Sequence, residues 1–241
     1  MYHFIPFTSD TYSVVLVIAA ILPAAFLMFR VYRADRLEKE SPRMLWRLVI
    51  AGIFSTLIAL VEERVFEQAL NVLVDESSVW YNVILYFGIV AFAEETSKYI
   101  MLRRTSWHSP EFNCMFDGVV YAVFVSLGFA LWENISYVLN YGLSNALIRA
   151  VTAVPGHACD GVFMGLFYSV AKKHERLGNK KMTGLFSTLS VLVPAVLHGF
   201  YDYILSVEAG VATWIFYGFI AVLFVSSIIL VSKMSKKDRY I

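Results

Sequence analysis

The sequence predicts an all-α membrane protein, a polytopic bundle of about seven transmembrane helices. Three observations carry that prediction. Of 241 residues, 59% are hydrophobic and only 16% charged, against about 45–50% and 25% in soluble globular chains. Mean hydropathy is +0.64. Apolar stretches of about 20 residues, the length that crosses a bilayer core of roughly 30 Å, recur along the whole chain. The composition excludes a disordered chain, a soluble enzyme and a nucleic-acid binder, and a net charge of +1 points to no acidic partner.

The spans fall near 12–31, 45–65, 79–102, 116–139, 145–171, 183–206 and 209–232. The first is no cleavable leader: neither Lys nor Arg precedes it, and its apolar run is too long. After the second span, Glu62 to Ser78 forms an acid-rich loop. There Val61, Val65, Ala69 and Val72 share one side, which suits a span cap or an interfacial helix. All loops are short, so residues 1–241 read as one transmembrane domain with no soluble domain, linker or internal repeat. Cys114 and Cys159 are too few for a disulfide framework and read as incidental thiols.

Orientation follows from the basic residues. Arg33, Arg36, Lys39 and Arg43 follow the first span, Arg103 and Arg104 the third, Lys172, Lys173, Arg176, Lys180 and Lys181 the fifth, and Lys233, Lys236, Lys237 and Arg239 the last. The intervening loops hold only Arg64 and Arg149. The alternation predicts an outside N-terminus and a cytoplasmic C-terminus, with the basic tail anchoring topology against anionic lipid.

Polar residues concentrate in spans three to six: Glu94, Glu95 and Lys98; Glu133 and Asn134; His157 and Asp160; His198 and Asp202. A charge at the centre of a lipid-facing helix costs roughly 2.5–3.5 kcal/mol. These groups are therefore expected to face one another or a watery cavity. Lys98 stands i+4 from Glu94 and i+3 from Glu95, so it can neutralise either. The two acids project about 100° apart, so a second partner is required, and a histidine or metal can supply it. His157 and Asp160 (i,i+3) and His198 and Asp202 (i,i+4) each set an imidazole beside a carboxylate, the way a catalytic or metal-bound histidine is oriented. Pro194 removes a backbone hydrogen bond one turn before His198, and Gly199 admits a close neighbour. Phe129, Trp132 and Phe200 read as packing residues.

HExxH is absent, as are GxSxG and the Glu-x-x-His pairs of di-metal bundles. What remains is a Glu/His/Asp set with no serine or cysteine nucleophile. It suits activation of water by a glutamate base or by a metal held by Glu and His. Counted from the outer span ends at 1.5 Å per residue, Glu133 lies about 9 Å deep, His198 about 12 Å, His157 about 18 Å and Glu94 about 22 Å. Glu133 therefore fits one shell with Glu94 only if a span boundary differs.

EExxK (Glu94, Glu95, Lys98), FxxxEN (Phe129, Glu133, Asn134), the PGHA run around His157 and HGxxD (His198, Gly199, Asp202) occur in this order in separate spans. With the run from Asp117 to Ala130, this pattern resembles the PrsW family of intramembrane proteases. That family lies within the superfamily of CAAX prenyl endopeptidases and bacterial abortive-infection proteins. The resemblance covers about 80–205, the expected protease-like core. It implies a multi-pass endopeptidase of the bacterial cell membrane that makes the first, extracytoplasmic-side cut in a single-span substrate of the anti-sigma factor type during envelope stress. Carried over by motif, Glu94, Glu95 and His198 are the catalytic core, with Lys98, Glu133, Asn134, His157, Asp160 and Asp202 as the supporting polar site. The resemblance leaves two mechanisms open, one metal-free and one using zinc held by Glu94, Glu95, His157 and His198. Three other classes compete. Chains of Asp, Glu and His also serve proton- or cation-coupled transporters, although no repeat is seen. A non-catalytic scaffold is opposed by the intact EExxK and HGxxD. A presenilin-like aspartyl protease has only Tyr201-Asp202 in its favour, with no GxGD.

Overall fold

The computed structural model describes residues 11–207 and 210–241. The N-terminal segment before the first span and residues 208–209, before the last helix, lie outside the described residues. The architecture is helical throughout: α1 (Thr11–Ala34), α2 (Pro42–Leu73), α3 (Val79–Val83), a π-helical stretch (Ile84–Val90), α4 (Ala91–Ser106), α5 (Asp117–Val151), α6 (Ala153–Arg176), α7 (Lys180–Ser206) and α8 (Val211–Lys236). Five stretches among the described residues are long and apolar enough to cross a membrane: Ser13–Ala34, Pro42–Leu73, Asp117–Arg176, Lys180–Ser206 and Val211–Lys236. α3, the π stretch and α4 follow without a break, and their polar EExxK segment keeps this rod out of that set.

Two boundaries differ from the sequence reading in ways that build the site. First, α2 does not stop near 65. Capped by Ser41, whose Oγ accepts from Met44 N, and with Pro42 in its first turn, it runs on to Leu73. Residues 62–73 therefore continue the α2 helix and form neither a loop nor a separate helix. Second, the stretch from 145 to 171 is not one unbroken helix. α5 continues past 139 and turns at Gly142 (φ +80°), a left-handed conformation open to glycine. Residues 143–151 form a short helix beyond that turn, and α6 starts only at Ala153. His157 thus sits one turn into its helix. The wider winding of the π stretch shifts the phase of the rod just before Glu94. π segments often mark functional sites.

α5 is the centre of the bundle. Every residue from Asp117 to Ala130 is buried, and α1, α2, α4 and α6 pack around it. Without a hydrophobic drive between helices in lipid, small residues allow this packing. A Cβ on Gly128 would meet the Val49 carbonyl oxygen at 2.4 Å, and one on Gly52 the Val125 carbonyl oxygen at 2.1 Å. That contact fixes the register of α2 against α5. Ser55, Thr56 and Ala59 continue the buried face, and Glu63, three turns beyond Gly52, arrives at the cavity described below.

At the basic end, the last residues are strapped across the α4–α5 loop. Met115 N donates to Arg239 O (3.0 Å), Ile241 N to Asn113 O (2.8 Å) and Phe116 N to Asp238 Oδ1 (2.8 Å), while Arg176 reaches the Ile241 carbonyl. Asp35, Glu40 and Asp117 are buried at this clasp. Burial pushes the Asp35 carboxyl from 3.8 to about 6, with Asp238 and Glu38 adding to the rise and Lys39 opposing it. Burial likewise raises Glu40 from 4.5 to about 9, although Tyr121, which donates to it, pulls the other way. The folded clasp therefore retains protons that the unfolded chain gives up. Its contribution is complete below about pH 4 and is lost as pH rises through about 6 for Asp35 and about 9 for Glu40. Thermal unfolding in detergent should thus show a lower midpoint at pH 9 than at pH 6. Glu40→Gln should flatten that slope, and an unchanged slope would remove Glu40 as its source.

Candidate active site

The EExxK segment lies on α4, directly after the π stretch. Glu95, Ser97 and Lys98 are fully buried there, and Glu94 is 7% exposed. Lys98 Nζ donates to Glu94 Oε2 at 3.0 Å and to Glu95 Oε1 at 2.7 Å, so one lysine serves both acids. The second partner that the 100° offset demands is His198 on α7: its Nδ1 lies 2.9 Å from Glu95 Oε1 and 3.7 Å from Glu94 Oε2. Asp202 Oδ2 takes the far nitrogen of the same ring at 3.3 Å, as the i,i+4 spacing predicts. Gly199 lets α7 touch the π stretch, for a Cβ there would fall 3.0 Å from Phe87 Cα.

His157 on α6 turns Nδ1 toward Lys98 Nζ (3.3 Å) and Nε2 toward Glu133 Oε2 (2.8 Å). The sequence reading paired it with Asp160. Instead Glu133 from α5 is its acid, because the position three residues on does not reach the ring nitrogens. Asp160 is buried and lines the cavity, and its Oδ1 has no hydrogen-bond partner among the described residues. Glu133 joins the cluster through His157, with no hydrogen bond of its own to Glu94 or Glu95 among the described residues. Asn134 faces away. It donates to Ala20 O (2.9 Å) and accepts from Arg149 Nε (2.9 Å), so it ties α1, α5 and the short helix together. Phe129 does more than pack, since Lys98 Nζ lies 4.1 Å from its ring centroid. Such a contact favours a desolvated ammonium.

Three residues of the cavity are absent from the expected protease site. Arg149, on the short helix after Gly142, pairs with Glu133 at 2.9 Å and lies 4.0 Å over the Tyr137 ring. Glu63 and Tyr201 line the same cavity. A signal existed for two of them. Glu63 continues the small-residue face of α2, and Arg149 is one of only two cations, with Arg64, on the acid-rich side of the protein. Arg149 pins Glu133, and Glu133 holds His157. Arg149→Met is therefore expected to leave a folded protein with activity about 10- to 100-fold lower, the usual cost of losing a group that orients a reactive histidine. Arg149→Lys should recover part of it. Unchanged turnover in Arg149→Met would remove the residue from the site.

Glu94, Glu95, His157 and His198 each offer one ligand atom, all within 4.8 Å of one another. Two carboxylates and two imidazoles suit zinc. Both rings present Nδ1 to the cluster and Nε2 to an outer acid, the arrangement that fixes a metal-binding tautomer. Glu95 Oε2 is buried with no hydrogen-bond partner among the described residues. The donor set therefore fits a divalent ion. The Lys98 ammonium shares that space, so its charge and an ion's compete for the same two glutamates. The cluster opens into a cavity of about 480 Å³, walled by Glu63, Tyr86, Tyr137, Arg149, Tyr201 and Asp202 among others. Glu94, His157 and His198 line it, and Glu95 stands behind them.

Fold and site together define a multi-pass helical membrane protein with a buried glutamate–histidine centre. A family model described as PrsW family intramembrane metalloprotease matches residues 40–231. The chain is 32% identical to Protease PrsW of Bacillus subtilis (strain 168) over 83% of this chain and 85% of that one. It is 31% identical to Protease PrsW of Shouchella clausii over 93% and 98%, and 31% identical to that of Clostridioides difficile over 80% of each. No solved structure matches. The chain belongs to the PrsW family of intramembrane proteases: it is a bacterial multi-pass membrane protease.

Proposed function

We propose that the protein is an endopeptidase that hydrolyses one peptide bond in a single-span membrane substrate of the anti-sigma factor type, on the extracytoplasmic side. The reading includes seven spans in one transmembrane domain, with the N-terminus outside and the basic loops in the cytoplasm. The observation that carries it is the convergence of Glu94, Glu95, Lys98, His157 and His198 from three helices at the wall of a cavity inside the bundle.

Glu94 is the glutamate that reaches the cavity. It takes a proton from water as the water oxygen attacks the scissile carbonyl carbon. His198, on the same wall, turns its Nδ1–H from Glu95 to the oxyanion that forms, while Asp202 keeps hold of Nε2. Glu94 then passes its proton to the amide nitrogen as the C–N bond breaks, leaving an acid and an amine. Glu95 works from behind, holding Lys98 and His198 in place, and Asp202 and Glu133 orient the two imidazoles. An ion held by Glu94, Glu95, His157 and His198 would polarise the carbonyl and acidify the water.

Purified protein in liposomes with a single-span substrate tests the reading. Wild type is expected to cut and Glu94→Gln to leave the substrate whole. Loss of cutting on chelation, with recovery on adding zinc, would assign the ion. Failure of wild type to cut any single-span candidate, with pH-coupled uptake through the cavity, would replace the protease reading by a transporter.

A further inference from the structure

A second cavity, of about 600 Å³, lies at the opposite, basic end of the bundle, between the C-terminal half of α4, the end of α6 and the first turns of α7. Arg103, Lys180, Glu175, Tyr99, Thr183 and Ser187 line it. Arg103 is partly buried and held in place. Its Nη1 donates to Tyr99 OH at 3.1 Å and lies 3.5 Å from Ser187 Oγ, and its guanidinium stands 4.2 Å from the Trp107 ring centroid. Among the described residues it makes no ion pair. The one acid in the lining, Glu175, is already neutralised by Lys172 at 2.9 Å. The cavity therefore presents two uncompensated cations beside a ring of hydroxyls, the chemistry that receives a phosphate.

The surroundings choose between a soluble phosphate and a lipid. Beside the lining residues Gly184 and Thr188, exposed Leu185, Leu192 and Val196 run along one face of α7. Their spacing of seven and four residues is that of a helical stripe. A headgroup in the cavity would leave its acyl chains along this stripe. Basic pockets between membrane helices on the cytoplasmic side commonly hold anionic headgroups. We propose that this cavity seats the phosphate of one anionic phospholipid, with Arg103 and Lys180 as its cationic contacts and α7 as the rail for its chains.

Native mass spectrometry of the full chain, released from micelles containing phosphatidylglycerol or phosphatidylcholine, tests this. Wild type is expected to retain one phosphatidylglycerol and to prefer it to phosphatidylcholine. Arg103→Gln should weaken retention about five-fold, the worth of one cation near an anionic surface. Because that change also removes hydrogen bonds to Tyr99 and Ser187, Gly184→Leu is the second probe. A Cβ at Gly184 meets nothing within 4 Å, so the leucine fills the cavity without a backbone clash and should expel the lipid. Arg64→Gln, which removes a cation that does not line this cavity, should change nothing. Equal retention of the two lipids, or undiminished retention in Gly184→Leu, would overturn the proposal. Thermal protection by inorganic phosphate equal to that by phosphatidylglycerol would overturn the lipid assignment.

Discussion

Glu94→Gln and His198→Ala are each expected to lose about 100- to 10,000-fold in cleavage rate, the range for removing a positioned base or its partner. The fold should survive both. Glutamine keeps the volume of Glu94 and can still accept from Lys98, and alanine at position 198 leaves Glu95 its bond to that lysine. Glu95→Gln should fall as far by a different route, since Glu95 does not line the cavity and acts by holding Lys98 and His198. Initial rates with a single-span substrate in liposomes, beside a detergent melting curve for each variant, make the check. Full activity in Glu95→Gln would show that the cluster's electrostatics are not needed. Full activity in Glu94→Gln would remove the proposed base.

Lys98→Met should be the most destabilising change in the site. Lys98 is fully buried, and the two carboxylates it serves are 7% exposed or less. Methionine nearly matches its length but leaves Glu94 and Glu95 facing each other without the ammonium. Breaking a buried pair by removing one partner costs about 3–5 kcal/mol. The expected result is a lowered unfolding midpoint and loss of cleavage. Lys98→Met combined with Glu95→Gln should recover much of the stability, because one stranded charge has gone, and none of the activity. A single variant as stable as wild type would mean that a bound cation or a proton already balances the glutamates. Excess zinc separates those two: only the cation case gives a midpoint that rises with zinc concentration.

The motif residues were legible before any coordinates because membrane insertion makes charge expensive. A buried glutamate in a span must find a partner, so Glu94, Glu95, Lys98, Glu133, His157 and His198 announced themselves by being there at all. Their mutual spacing settled only pairs within one helix. Lys98 with both glutamates, and His198 with Asp202, follow from i,i+3 and i,i+4 positions on a regular helix. The same rule applied to His157 pointed to Asp160, and the true partner came from α5. A residue pair on one helix competes with every side chain that another helix brings near, and sequence spacing carries no record of that competition.

Composition and periodicity by themselves determined that this is a helical membrane protein, where most of its helices run, and which polar groups had to meet inside it. The physical cause is local: lipid forces each backbone to satisfy itself as a helix and penalises each unpaired charge. Tertiary structure alone decided that α2 runs on to deliver Glu63, that the chain turns at Gly142 to bring Arg149 onto Glu133, and that His198 meets Glu95 while His157 meets Lys98 and Glu133. Those outcomes depend on helix register, set by contacts such as Gly52 against Gly128 and Gly199 against Phe87. Register is a property of two surfaces meeting, which neither helix encodes alone.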